Sequence, residues 1–107
     1  MELIVELRAK ADKSLELHQA LQALLPAIRE ERGCLDCQVY REVEDEDVFC
    51  LILRWDVLSN LEHAMHSGSG GIFMGIVDLL TETARIRFGR EGSWEEVDTL
   101  RKMRKKA

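Results

Sequence analysis

No stretch of this sequence stays apolar for the roughly 20 residues that a bilayer-spanning helix requires, so no membrane span is expected. The opening Met1-Glu2-Leu3-Ile4-Val5-Glu6 has no basic stretch ahead of its apolar residues, and a cytoplasmic location is expected. A basic surface of the kind that phosphate backbones need is also missing. The net charge is -5: all 20 acidic side chains and 10 of the basic ones lie in residues 1 to 100, and Arg101, Lys102, Arg104, Lys105 and Lys106 supply the rest. Nucleic acid is therefore not an expected partner. The basic tail reads as cations gathered at a helix C-terminus, where they complement the helix dipole, rather than as a polyanion site.

Several chemical signatures are absent too. There is no GxSxG turn, no placeable Ser-His-Asp set and no dinucleotide fingerprint, so hydrolysis and nicotinamide chemistry are not expected. Ser67-Gly68-Ser69-Gly70-Gly71 lacks the lysine and the spacing of a phosphate loop, and reads as a mobile lid or pocket entrance, or else as an inert linker. Only three cysteines occur. Cys34 and Cys37 form a CxxC, but on a strand the odd offset sends the two thiols to opposite faces, so neither a shared disulfide nor a metal site is expected. Cys50 reads as a small buried apolar residue, and all three as reduced thiols. No repeat or linker divides the 107 residues, which fit one domain.

What is present is the balance of a folded chain, 46% hydrophobic and 33% charged. Leu3, Val5 and Leu7 alternate as on a strand. From Lys13 to Arg32 the period changes, and Leu17, Leu21, Leu24, Leu25 and Ile28 mark one helix face. Asp12 or Ser14 could cap its start and Gly33 could end it in the left-handed conformation, while Pro26 predicts a kink or short break. A second strand follows, with Leu35, Cys37, Val39 and Val43 on one side and Asp36, Gln38, Tyr40 and Glu42 on the other. Glu44 to Asp47 is a hairpin tip. Val48 to Trp55 is almost continuously apolar, as in a strand covered on both faces.

Ser59-Asn60-Leu61-Glu62 is a capping box that should open a second helix, weakened at Ser67 to Gly71 and resuming through Ile72, Phe73, Ile76, Val77, Leu79 and Leu80. Ala84-Arg85-Ile86-Arg87-Phe88 alternates as a fourth strand. A second capping box, Ser93 to Glu96, predicts a C-terminal helix over about 93 to 106, with Trp94, Val97, Leu100 and Met103 on one side.

The order β-α-β-β-α-β is that of the ferredoxin-like α+β fold, in which two helices cover one face of a four-stranded antiparallel sheet. The other face stays open. Ile4 and one of the third-strand sets, Phe49-Leu51-Leu53 or Cys50-Ile52, would lie there, and leaving such side chains in water forfeits roughly 1.5 to 3 kcal/mol each. A homodimer with sheets packed face to face is the expected cover.

Several strings run in order along Met1 to about Arg101. They are Glu31-Arg32-Gly33-Cys34-Leu35, Val39-Tyr40-Arg41, Phe49 to Trp55, Leu61-Glu62 followed by Ser67 and Phe73, and Arg85-Ile86-Arg87-Phe88. Together they resemble the antibiotic biosynthesis monooxygenase family of dimeric ferredoxin-like α/β-barrel proteins. The resemblance implies a pocket between sheet and helices in which some members oxidise phenols or quinols with molecular oxygen and without a cofactor, metal or flavin. Other relatives degrade heme, isomerise small metabolites or have no known activity. Many relatives carry a histidine nine residues after the strand-ending tryptophan; here that position is Ala64, with His63 and His66 on either side.

The candidate chemistry follows. His63 and His66, three apart on a helix, are candidates for moving a proton near neutral pH, or are simply exposed at a helix end. Trp55 could stack on an aromatic substrate or pack in the core. Tyr40 could offer its hydroxyl to a ligand or to an interface, Phe73 joins Trp55 and Tyr40 as a substrate-lining candidate, and Asn60 reads as an early-turn helix residue. The expected function is a cofactor-independent monooxygenase of quinol-like or polyphenolic small aromatic molecules. The alternative is a non-catalytic small-molecule binder, or a heme binder if a histidine faces the pocket.

Overall fold

A computed structural model describes residues 1–105; Lys106 of the basic tail, which is also the end of the expected C-terminal helix, lies outside the described residues. The central strand is β1 (Glu2–Ala9), which pairs antiparallel with β3 (Val48–Trp55) on one side and β4 (Thr81–Phe88) on the other. β2 (Cys34–Arg41) lies outside β3, and a two-residue β5 (Glu95–Glu96) adds to β4, giving the order β2-β3-β1-β4-β5. The sheet thus has five strands rather than four.

Pairing in register turns Leu3, Val5 and Leu7 to the same side as Phe49, Leu51, Leu53 and Ile86, and all of these are buried. α1 (Ser14–Arg29) lays Leu17, Leu21, Leu24 and Ile28 against the core. The expected break at Pro26 does not occur, and α1 runs through it. Pro26 stands three residues before the end of the helix, so its missing N–H removes one late hydrogen bond while Leu24 and Ile28 stay anchored. Neither expected cap forms at the start. The capping position is Lys13, whose side chain makes no capping bond, Asp12 takes a positive φ of 64°, and the Ser14 hydroxyl donates to Asp47 at the base of the β2–β3 hairpin.

A bulge in β2 overturns the expectation that the two CxxC thiols face opposite ways. The register shifts between Cys34 and Asp36, so that Cys34 faces Trp55 and Cys37 faces Leu53. Residues opposite one another in an antiparallel pair share a face, so both thiols point to the helix side. Leu35, expected inside, is expelled to 59% exposure. Burial holds both thiols protonated, raising Cys34 and pushing Cys37 up to about 12, which makes them poor nucleophiles.

The second helical region divides into α2 (Leu58–Met65) and α3 (Gly68–Leu80), with the break at His66-Ser67 and the glycines inside the first turns of α3. The first capping box is not used, since α2 begins one residue before Ser59. Asp56 serves that end instead: its Oδ1 accepts from the Val57 N–H at 2.6 Å and from Asn60 Nδ2 at 2.8 Å.

The second capping box is replaced as well. Glu95 and Glu96 pair with Ile86 and Arg85, and only then does α4 (Asp98–Lys105) begin. Leu100 anchors α4 in the core, Arg101 grips both oxygens of Asp78 at 2.7 and 3.2 Å, and Arg104 Nη1 donates to the Met65 carbonyl at 2.8 Å. Trp94, expected on the inner side of that helix, lies on the opposite face of the sheet, 4.0 Å from the Arg85 guanidinium and 4.7 Å from that of Arg87. Trp94, Arg87 and Cys50 surround the hollow in which Ile4 sits, and Ile4 is only 6% exposed within the single chain. The open face is therefore partly capped from within. Val48, Cys50 and Ile52 remain half-buried there, and Tyr40 is exposed.

Candidate functional site

The inner face of the sheet does not close perfectly on the helices. A cavity of about 40 Å³ remains where the end of β3, the corner between α2 and α3, and α4 converge. The strands contribute Leu3, Val5, Leu53 and Trp55, and the helices contribute Leu61, Met65, Phe73 and Leu100. Strand alternation decides the first set: Leu51, Leu53 and Trp55 share a parity on β3, and Arg54 between them is exposed. Helix geometry decides the second. Leu61, Ala64 and Met65, spaced three and four apart, form the inner stripe of α2.

That stripe also determines where the histidines go. His63 falls between its members and His66 follows the last of them at the end of α2; both are exposed and absent from the cavity wall. Tyr40 stands opposite Cys50, hence on the other face of the sheet, and is 54% exposed. It borders a groove of about 240 Å³ with His18, Arg41 and Phe49 at the edge between α1 and β2. Of the sequence candidates, the cavity brings Trp55 and Phe73 together and leaves His63, His66 and Tyr40 outside. Asn60 braces the start of α2, as its early-turn position suggested.

Trp55 is the unusual member of the wall. Its side chain is 1% exposed, yet its indole Nε1–H is buried with no acceptor. A buried donor without a partner costs about 1 to 3 kcal/mol, which singles this group out from the rest of the wall. Its backbone is firmly held, with the N–H donating to the Met1 carbonyl at 2.8 Å.

The rim is more polar. Glu31, in the turn after α1, and Ser69, in the first turn of α3, are the polar residues bordering the cavity. Glu31 Oε1 accepts from the Ser67 hydroxyl at 2.8 Å, a bond the hydroxyl shares with the Ala64 carbonyl at 2.6 Å, and so ties the α1–β2 turn to the α2–α3 corner. Gly70 is needed there: a Cβ on it would stand 2.6 Å from the carbonyl oxygens of both Ala64 and Met65. The serine–glycine run is thus the start of α3, tightly packed at Gly70 and open at Gly68. Glu31 received no role from the sequence, although it begins the string Glu31-Arg32-Gly33-Cys34-Leu35; its carboxylate becomes relevant only once the α2–α3 corner folds over it.

Among the described residues no cluster of three or more His, Cys, Asp or Glu side chains could hold a metal ion. A heme fits poorly, because no histidine borders the cavity and the space is far smaller than a porphyrin.

A family model described as antibiotic biosynthesis monooxygenase matches residues 1–69. No curated protein matches the chain. Among solved structures, a Pseudomonas aeruginosa protein is 22% identical with a TM-score of 0.75, the match covering 89% of this chain and 90% of that one. A structure named antibiotic biosynthesis monooxygenase is 12% identical with a TM-score of 0.73, covering 89% and 95%. A Mycobacterium tuberculosis protein is 17% identical with a TM-score of 0.72, covering 86% and 96%. At these identities the structures show a shared fold.

Proposed function

The chain belongs to the antibiotic biosynthesis monooxygenase family, and from that premise we propose that it oxidises a quinol-like or polyphenolic aromatic molecule with dioxygen, without metal or flavin, at the cavity walled by Trp55 and Phe73. The observation that carries this reading is Trp55, a wall residue of an almost wholly apolar cavity whose buried indole N–H has no protein acceptor. An electron-rich phenol needs no cofactor to reduce oxygen. Two of its hydrogens leave, one oxygen atom enters the ring as a carbonyl, and the second oxygen atom departs with those hydrogens as water. The protein's contribution is to orient the ring, exclude solvent, and place a donor where negative charge develops.

Pockets that enclose small organic ligands run to about 300 to 1,000 Å³, so a cavity of about 40 Å³ must enlarge to admit an aromatic ring. The rim supplies the place. Parting Glu31 from Ser67 opens the α2–α3 corner and frees the carboxylate to accept a phenolic proton. His66, adjacent to Ser67 and exposed, is the histidine placed to pass that proton to solvent, and His63 stands farther along the same outer face.

Oxygen uptake measured across a panel of naphthols and hydroquinones tests this function. Uptake with one oxygen atom incorporated, a naphthol giving the naphthoquinone and a hydroquinone giving the hydroxyquinone, each with one water, is expected from metal-stripped protein, and no uptake above a heat-unfolded control would remove the enzyme. The second reading, a non-catalytic binder of small apolar molecules, draws on the absence of any titratable group on the cavity wall other than Glu31; it predicts thermal stabilisation by the same panel with no product.

Family members are commonly dimeric, and the half-buried Val48, Cys50 and Ile52 with exposed Tyr40 offer the surface on which a second copy would pack. Because Trp94 already shields Ile4, the gain on association is smaller than an uncovered sheet would give. Sedimentation velocity at micromolar concentration is expected to show a species of twice the 12.3 kDa chain mass; a single 12.3 kDa boundary would rule this out.

A further inference from the structure

Beyond the oxidation chemistry, we propose that a second copy of this chain pairs with the free edge of β2, its own β2 running antiparallel about a two-fold axis at Tyr40, so that two sheets join edge to edge. This surface is separate from the outer sheet face, although Tyr40 stands at the border of both.

The first support is unpaired backbone. β2 is the last strand on its side of the sheet. The Glu42 N–H donates to the Val48 carbonyl at 2.9 Å, so in this antiparallel ladder Tyr40 and Gln38 also bond to β3, and Val39 and Arg41 turn their N–H and C=O groups to the free edge. Cys37 has the same facing, and its carbonyl accepts from Arg29 Nε at 3.0 Å. That cover ends at Cys37: among the described residues the backbone groups of Val39 and Arg41 find no other partner. β2 also contains no Lys or Pro, the residues that commonly guard an edge.

The second support is the surface beside the edge. Leu35 and Tyr40 on β2, Val43 just beyond it and Leu15 on α1 are all exposed. His18, Gln22 and Leu25 border the groove along Val39, Tyr40 and Arg41, and Leu15 continues their stripe. From Leu17 to Ile28, α1 has no Asp, Glu, Lys or Arg in a chain that is 33% charged. Interface centres are depleted of charge in this way. Because each chain has a net charge of -5, two copies repel, and this flank lets them approach without setting carboxylates against one another.

The third is register, which identifies the occupant as a second copy. Centring the pair on Tyr40 sets Val39 opposite the partner's Arg41 and Arg41 opposite the partner's Val39, so the two unpaired residues of each chain exchange four hydrogen bonds. Tyr40 then meets its own copy, and Gln38 meets the partner's Glu42. Centring on Val39 is worse: it calls on the Cys37 carbonyl that Arg29 occupies and opposes Asp36 to the partner's Glu42, a like-charge pair. A two-fold axis normal to the sheet keeps both helix layers on one side and brings the α1 flanks toward each other.

Amide hydrogen exchange on the intact chain tests the pairing. The Val39 and Arg41 amides should be protected to within roughly tenfold of Tyr40, whose N–H bonds within the chain. Exchange of both at unstructured rates beside a protected Tyr40 would overturn the proposal. In Val39→Pro, which deletes an edge N–H that β3 does not use, Arg41 should lose protection while Tyr40 keeps it, and sedimentation should show the assembly halved in mass. A folded Val39→Pro of unchanged mass would contradict edge pairing while leaving face-to-face packing and turnover untouched.

Discussion

Replacing Trp55 by phenylalanine is expected to lower turnover of a quinol substrate roughly a hundredfold, the loss typical of removing one donor from a developing negative charge. Stability should hardly change. The substitution deletes a buried N–H that has no partner, relieving about 1 to 3 kcal/mol, and leaves a small void whose cost is about 1 to 2 kcal/mol. The two effects oppose each other and the melting temperature should stay within a few degrees. This separation is what distinguishes a functional donor from core packing. If Trp55 served packing alone, Trp55→Phe would cost stability and leave turnover per folded molecule intact. Trp55→Ala is no substitute, because losing the whole ring costs about 3 to 5 kcal/mol and would confound the two.

A large stability effect is expected at Gly33. Its φ of 83° lies in the left-handed region, and a Cβ there would stand 2.4 Å from both Asp56 Oδ1 and Asn60 Nδ2. Those two atoms are hydrogen-bonded to one another at 2.8 Å and brace the start of α2, so neither can retreat freely. Alanine in a left-handed conformation costs about 1 to 2 kcal/mol, and crowding a packed site adds about 1 to 3 kcal/mol. Gly33→Ala should therefore lose about 2 to 5 kcal/mol, which for a chain of this size lowers the melting temperature by roughly 10 to 30 °C. Gly89→Ala is the control. Its φ is 74° but nothing lies within 4 Å of an added Cβ, so only the conformational part of the loss should appear. Equal losses at the two positions in thermal unfolding would show that the contact with Asp56 and Asn60 contributes nothing.

Where side-chain periodicity alone governs the structure, the sequence was sufficient. Leu17, Leu21, Leu24 and Ile28 do face the core from α1, and the run Val48 to Trp55 does form a strand with Phe49, Leu51, Leu53 and Trp55 inside. The strings quoted for the family lie on the elements they were expected to occupy. What escaped was backbone irregularity and tertiary closure. A single extra residue between Cys34 and Asp36 reversed the facing of Cys34 and Leu35, and no side-chain pattern announces a bulge.

The C-terminal segment misled for a different reason. Trp94, Val97, Leu100 and Met103 keep helical spacing, yet Glu95 and Glu96 complete the edge of β4, and the chain crosses that edge between Trp94 and Val97. Val97 and Leu100 enter the core while Trp94 stays on the far face between two arginines. The capping boxes failed because backbone pairing and Asp56 met the same needs first.

The candidate site was legible in half. The end of β3 pointed to Trp55, and position in the second helical region pointed to Phe73. The histidines were drawn inward by their spacing of three, whereas the apolar stripe Leu61, Ala64, Met65 had already claimed the inner face of α2. Glu31 could not be found from local pattern, because its partner Ser67 is 36 residues away.

The most direct test of the account is where an aromatic ring binds. In a crystal soaked under anaerobic conditions with a naphthohydroquinone, the ring should lie between Trp55 and Phe73, with Ser67 drawn away from Glu31 and the Trp55 indole donating into the space beside the ring. A ring seated instead on the outer face of the sheet, or in the groove beside Tyr40 and His18 with the cavity unchanged, would contradict it.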